Sequence, residues 1–196
     1  MTRMEMFPIR SKILVITEGY TEKNYLERLR TRDNGFELIV RRCPEQRPIK
    51  ILRFCISCMN DLGISLKDGD SAYCVFDVDF TSELRLQKVL DEARKKGIGI
   101  ILSKPCFEVF FLLHFTGNID RLAIPQDAKD ELGAYLNGYS ETGEYWEMLK
   151  PHQDTAIERS REYQLPLAID LKRMRNGTNI YEIFDDIAQR KKDGEP

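Results

Sequence analysis

The sequence has no long hydrophobic run and little net charge, and both absences exclude broad classes of protein. No stretch approaches the roughly 18 consecutive apolar residues that a membrane-spanning helix needs, and the N-terminal segment lacks the apolar centre of a secretory signal. The formal net charge of −2 excludes a surface coated throughout with cations, although it permits a local basic path beside an acidic site. We therefore expect a soluble, cytoplasmic protein.

Cysteine and histidine are scarce, and their spacing completes no metal-binding or nucleophilic motif. The five cysteines are an odd number, which favours reduced thiols over a disulfide framework. Cys55 and Cys58 have the spacing of a zinc or redox site, but no second pair of Cys or His residues supplies the missing ligands. We therefore predict that the cysteines belong to the core.

Strand and helix patterns alternate through the first half of the chain. Four short apolar runs predict buried strands, at residues 13–17, 36–40, 71–76 and 98–102. Three amphipathic segments between them predict helices, at residues 21–32, 48–62 and 81–96. This alternation predicts an α/β, Rossmann-like fold, with a parallel sheet of about four strands and helices on both faces.

The pattern changes after Pro105, where helices replace strands. An apolar segment at 107–115 predicts a buried helix. Further helices are predicted at residues 126–136, 144–150, 153–164 and 180–192, without a clear strand among them. We therefore expect an α/β core over residues 1–105 and a mostly helical region over residues 106–196, packed together as one compact unit.

Three carboxylates follow the predicted strands. Glu18 comes directly after the first strand, and Asp77 and Asp79 come directly after the third. Ligands of an open parallel sheet bind beyond the carboxyl ends of its strands, and Mg²⁺ is commonly held there by carboxylates, waters and phosphate oxygens. An Asp-x-Asp pair alone is as often a solvated loop, but Glu18 at a second strand end favours a site. We therefore predict one site for Mg²⁺ or Mn²⁺, suited to phosphoryl transfer or phosphodiester hydrolysis.

These motifs resemble those of a known family. A strand ending in Glu18-Gly19, then a helix, then a strand ending in Asp-x-Asp is similar to the Toprim domain of topoisomerases, primases and OLD-type nucleases. Together, three longer segments resemble RloB-like proteins, which are prokaryotic Toprim proteins of restriction and abortive-infection loci. Those segments are residues 13–26, 75–79 and 103–115, and residues 176–179 resemble the family's C-terminal Asn-Pro-Ser-Thr element.

The resemblance implies a Toprim-like sheet with Glu18, Asp77 and Asp79 as metal ligands. It also marks Glu108 and His114 as family-typical positions near or behind the site. The sequence departs from the family pattern at Tyr20, Phe80 and Gly177, where an acidic residue, a polar residue and a proline are usual. None of these departures removes a metal carboxylate, but the charge missing at Tyr20 would weaken a second metal position.

Lys104, Glu108 and His114 complete the set of candidate catalytic residues. A buried carboxylate is costly unless it is paired, so Glu108 is expected to meet a cation or a backbone donor. Lys104 is the candidate partner, or a ligand for substrate phosphate. His114 has the chemistry for general acid–base catalysis, although a packing role is more frequent for a histidine in an apolar segment.

A basic cluster surrounds the end of the second predicted strand. Its members are Arg41, Arg42, Arg47, Lys50 and Arg53. Charge runs are usually solvated faces, but cations beside an acidic site would also hold a nucleic-acid backbone.

The leading hypothesis is a metal-dependent nuclease that cuts DNA or RNA in a prokaryotic defence system. Glu18 would orient the attacking water or bind metal, Asp77 and Asp79 would hold Mg²⁺, and Lys104 or a nearby arginine would neutralise the phosphate. The alternative is a non-catalytic effector or adaptor that works with a partner ATPase encoded nearby, because the sequence contains no Walker motif. Nucleotidyl transfer, as in primases, is less favoured because zinc-binding and extended basic modules are missing.

Overall fold

The computed structural model describes residues 10–30, 35–78, 82–165 and 174–193. Strands within these ranges are β1 (Ser11–Thr17), β2 (Phe36–Arg42), β3 (Ser71–Asp77), β4 (Gly99–Lys104) and β5 (Gly177–Thr178). Helices within them are α1 (Tyr20–Glu27), α2 (Pro48–Leu62), α3 (Glu83–Lys96), α4 (Glu108–Phe115), α5 (Pro125–Leu132), α6 (Trp146–Leu149), α7 (Gln153–Glu162) and α8 (Tyr181–Asp193). Short 3₁₀ helices occur at Leu66–Asp68 and Lys150–His152. No helix in the described ranges is long and apolar enough to cross a membrane.

The strands form one sheet in the order β2-β1-β3-β4-β5. The first four strands are parallel, and β5 is antiparallel to β4, which confirms the predicted α/β fold. Because β1 lies between β2 and β3, Thr17 is in register with both Arg42 and Val75. The ends of β1 to β4, at Thr17, Arg42, Asp77 and Lys104, therefore share one margin of the sheet, which we call the carboxyl edge.

Local signals explain why some helices match their predictions closely. Pro48 opens α2 at a position where its missing N–H is not needed. Gly63 closes the same helix with φ of 61°, in the left-handed region that favours glycine. The helix therefore covers the predicted residues, Pro48–Leu62.

Helix α1 differs from its prediction at both ends. It begins at Tyr20 rather than Thr21, because extended Gly19 is its N-cap. It ends at Glu27, where the Arg28 and Leu29 N–H groups donate to the Tyr25 and Leu26 carbonyls and tighten the chain into a turn. The predicted continuation to residue 32 extends into residues 31–34, which lie outside the described ranges.

The C-terminal region is mostly helical, as predicted, but it also supplies β5, which the sequence did not predict. This two-residue strand pairs Thr178 with Ser103 and Gly177 with Lys104, and the Ser103 and Thr178 hydroxyls lie 2.9 Å apart. A Cβ at Gly177 would lie 1.7 Å from the Tyr163 carbonyl oxygen. Only glycine therefore fits between the end of α7 and the sheet.

Two apolar cores lie on opposite faces of the sheet, because successive side chains of a strand point to opposite sides. Ile13 and Val15 face a core that α1 and α4 to α8 complete, while Leu14 and Ile16 face a core that α2 and α3 cover. The first core thus joins residues from both halves of the chain. All five cysteines are buried and free, as predicted.

Candidate functional site

Glu18 and Asp77 meet at the carboxyl edge. The Glu18 N–H donates to the Val75 carbonyl at 3.0 Å, which fixes Glu18 against the end of β3. Its carboxylate in turn accepts a 3.2 Å hydrogen bond from the Asp77 N–H. The structure therefore brings together two of the three predicted metal ligands, while Asp79 lies outside the described residues.

Glu22 adds a carboxylate that was not among the predicted site residues. It is only 4% exposed, and burial raises its pKa to about 8, with further contributions from the negative charges of Glu18 and Glu108. A Cβ at residue 19 would lie 2.7 Å from a Glu22 carboxylate oxygen, so Gly19 makes room for the inward turn. The spacing of Glu22, four residues after Glu18 across a glycine, is the signal that could have found it.

Glu108 reaches the same group of carboxylates from the start of α4. It is 4% exposed and accepts a 2.9 Å hydrogen bond from the Tyr139 hydroxyl. Burial raises the pKa of the neighbouring Cys106 thiol, and the negative charges of Glu108 and Asp77 raise it further. Within the described residues, the Tyr139 hydroxyl is thus a hydrogen-bond donor to Glu108, for which the sequence predicted a cation or a backbone donor.

Two lysines approach this region in different ways. Lys104 ends β4 at the carboxyl edge, and its ammonium group donates a hydrogen bond to the Met174 carbonyl. Lys129 on α5 pairs with Glu141. Partial burial lowers the pKa of Lys129, but its hydrogen bond to Glu141 and the nearby Glu108 carboxylate raise that pKa overall. Lys129 is thus a cation near the acidic residues that sequence reasoning had not singled out.

His114 lies in an aromatic layer and is 2% exposed. Gln153 donates to the Tyr25 hydroxyl at 3.0 Å, which leaves that hydroxyl to donate to His114 Nε2 at 3.2 Å. His114 Nδ1 then donates to the Phe110 carbonyl at 2.8 Å. These bonds suit a neutral imidazole, and burial lowers the pKa of His114 to about 4. Both ring nitrogens thus have partners within the fold.

The basic cluster flanks the acidic residues through the neighbouring strand. Arg42 ends β2 in register with Thr17, one residue before Glu18. Its guanidinium carbon lies 4.4 Å from the centre of the Tyr20 ring, and Tyr20 is 51% exposed. Arg42, one member of the predicted cluster, therefore lies one strand away from Glu18.

Four described carboxylates now share one end of the sheet: Glu18, Glu22, Asp77 and Glu108. In the described residues, no three His, Cys, Asp or Glu side chains are already arranged to hold a metal ion, and the predicted set also includes Asp79. Crowded, partly desolvated carboxylates repel one another, and a divalent cation would offset that repulsion. The donor chemistry, which consists of oxygen atoms only, fits Mg²⁺ or Mn²⁺.

Comparison with models of known protein families gives a match that covers most of the chain. A family model described as RloB-like protein matches residues 13–187, which include every described residue of the acidic edge. No curated protein matches the chain.

Proposed function

The chain belongs to the RloB-like protein family, and from this premise and its acidic edge we propose that it is a divalent-metal-dependent nuclease acting on DNA or RNA. The observation that carries the proposal is the hydrogen bond that the backbone N–H of Asp77 donates to the Glu18 carboxylate, with buried Glu22 and Glu108 beside it. Buried carboxylates are costly to a fold. Their concentration at the ligand-binding end of a parallel sheet therefore points to a function.

In this proposal Glu18, Asp77 and Asp79 hold Mg²⁺ or Mn²⁺. A bound ion of this kind supplies charge stabilisation and a polarised water for phosphodiester hydrolysis. The rest is done by the chain's own residues: Glu18 orients the water, Arg42 attracts the phosphate backbone, and Tyr139 holds Glu108 in place.

Lys104 and His114 take less direct parts. Lys104 lies at the carboxyl edge, where its ammonium group would neutralise a substrate phosphate. To do so, it would give up its hydrogen bond to the Met174 carbonyl and bind the phosphate. Neutral His114, with both ring nitrogens hydrogen-bonded, supports the site by fixing Tyr25 of α1 against α4. The setting that we propose is prokaryotic defence of the restriction or abortive-infection type, on the strength of the motif resemblance.

Replacing Asp77 with asparagine tests the proposal. Purified protein is incubated with labelled DNA and RNA, single-stranded and duplex, in Mg²⁺, Mn²⁺ or chelator. We expect metal-dependent cleavage that Asp77→Asn lowers by more than about a hundredfold, because one negative ligand is lost. Asp61→Asn, at an exposed position on α2, is the matched control and should cut like the wild type.

Two results would contradict the proposal. Cleavage that survives Asp77→Asn would place the chemistry elsewhere. Wild-type protein that cuts no substrate with either metal would favour the non-catalytic adaptor, and co-purification with a partner ATPase would then identify its role.

A further inference from the structure

Tyr20 and Arg42 form a flat, charged surface beside the acidic residues. Tyr20 opens α1 two residues after Glu18, and half of its surface faces solvent. The guanidinium group of Arg42 covers the ring at 4.4 Å, within the range of a cation–π contact. Arg42 Nη1 also donates to the Cys43 carbonyl at 3.2 Å, which fixes the direction of its side chain. The guanidinium group of the partly buried Arg42 is thus held over one face of the ring, while half of the Tyr20 side chain stays exposed.

On the side away from the carboxylates, the loop next to this pair carries further positive charge. The loop from β2 to α2 lies at the carboxyl edge and carries exposed Arg47 directly before the helix. In that loop Glu45 pairs with Lys50 at 3.1 Å. Among the described residues, no salt bridge involves Arg42 or Arg47. Within that part of the chain, both cations are therefore available to an external anion.

An exposed aromatic ring, a planar guanidinium group and an available arginine are together complementary to an unpaired nucleotide. Its base presents a π face to the ring, and its phosphate meets the cations. In a duplex both faces of each internal base are already stacked on neighbouring bases, so the ring has no face to contact. The same surface therefore favours single strands over double strands.

We propose that Tyr20 and Arg42 form a stacking site for an unpaired nucleobase, so that the substrate is a single-stranded segment of nucleic acid. This inference rests on the proposed function, because the register between Thr17 and Arg42 puts the site one strand away from Glu18. The bound base holds the adjoining phosphodiester near the carboxylates, and Arg47 contacts the backbone on the basic side.

Binding is measured without cleavage, in chelator, by fluorescence anisotropy. The probes are short labelled oligodeoxynucleotides and oligoribonucleotides, each single-stranded and annealed to a complement. We expect single strands of at least one sugar type to bind more tightly than the duplex. Tyr20→Ala should weaken single-strand binding by about tenfold, within the range that loss of one base–aromatic stack produces. Tyr20→Trp, which keeps a flat ring, should retain binding.

Tyr135→Ala is the matched control. Tyr135 is another exposed tyrosine, but it stacks on Phe115 at the opposite end of α4 from Glu108, and its loss should leave binding unchanged. Arg42→Lys keeps the positive charge and should weaken binding without altering its salt dependence. Arg42→Ala should also reduce the slope of log affinity against log salt, by about 0.7.

The outcomes separate this inference from the proposed function. Unchanged single-strand binding by Tyr20→Ala, or tighter binding of duplex by the wild type, overturns the stacking site while cleavage that depends on Asp77 still stands. Conversely, selective single-strand binding that Tyr20→Ala abolishes, without cleavage in any metal, supports the stacking site and rejects the nuclease.

Discussion

His114 is buried and neutral, and its environment predicts how stability depends on pH. Burial lowers its pKa from 6.5 to about 4 in the folded protein, whereas the unfolded chain takes up the proton near pH 6.5. At this residue the unfolded state therefore binds more protons between these values, so the His114 contribution to the free energy of unfolding falls as pH decreases. Glu22, whose pKa is raised to about 8 by burial, contributes in the opposite direction, so the effect of His114 is measured as a difference between variants. Above pH 6.5 the imidazole is neutral in both states, and His114 contributes fully to the free energy of unfolding. Between pH 7 and pH 5 this contribution falls by about 2 kcal/mol.

Urea unfolding at pH 7 and pH 5 measures this effect. His114→Gln should be less stable at pH 7, because the bonds to Tyr25 and Phe110 are weakened, but should lose about 2 kcal/mol less than the wild type on acidification. His152 is the chain's other histidine and is exposed, so His152→Gln should follow the wild type. Equal pH dependence in all three proteins would show that His114 does not titrate differently in the folded state.

For individual residues, the sequence predicted the positions of those that directly follow a strand. Glu18 and Asp77 meet because parallel strands finish at a common edge, which the alternating pattern already implied. Glu22 escaped prediction because a charged residue on an amphipathic helix normally faces water. Gly19 provides the space for its burial, which the spacing from Glu18 signals, but the approach of Glu108 is determined only by the tertiary fold.

Among the elements, β5 depends on one glycine. Because a Cβ at Gly177 would lie 1.7 Å from the Tyr163 carbonyl oxygen, Gly177→Ala must move either the backbone of β5 or the end of α7. Either movement disturbs the pairing of β5 with β4. We expect a loss of about 3 kcal/mol in the free energy of unfolding, measured by chemical denaturation.

Gly117→Ala provides the control for that substitution. The nearest atom to a Cβ at Gly117 is Arg159 Nε at 3.7 Å, an ordinary contact distance. This variant should remain within about 0.5 kcal/mol of the wild type. Similar destabilisation by both substitutions would mean that the clash at β5 does not account for the loss, because Gly→Ala by itself lowers the entropy of the unfolded chain and does not destabilise an unstrained position.

Helix α2 and strand β5 show where element prediction succeeds and fails. Proline at the start and glycine after the end define α2 within its own segment. The two residues of β5 carry no periodic pattern, and their extended conformation is set by Ser103 and Tyr163, which are distant in sequence. Local signals therefore predicted the helix, while long-range contacts determine the strand.

For the molecule as a whole, the core on the α1 side joins the two halves of the chain. Ile13 and Val75 from the sheet pack in the same cluster as Phe110, Ile183 and Ile187 from the C-terminal helices. At the same time, β5 extends the sheet from the C-terminal side. Neither half can thus bury its apolar face alone, and the predicted regions 1–105 and 106–196 should unfold together.

Calorimetry and circular dichroism test this cooperativity. We expect the full chain to show one thermal transition, with equal calorimetric and van't Hoff enthalpies. A fragment of residues 1–105 should show none, because one face of its sheet would lose the cover of α4 to α8 and expose the residues that face them. Adding a fragment of residues 106–196 should restore a transition if the halves complement each other. A cooperative transition in fragment 1–105 alone would instead establish an independent α/β domain to which the helices are merely attached.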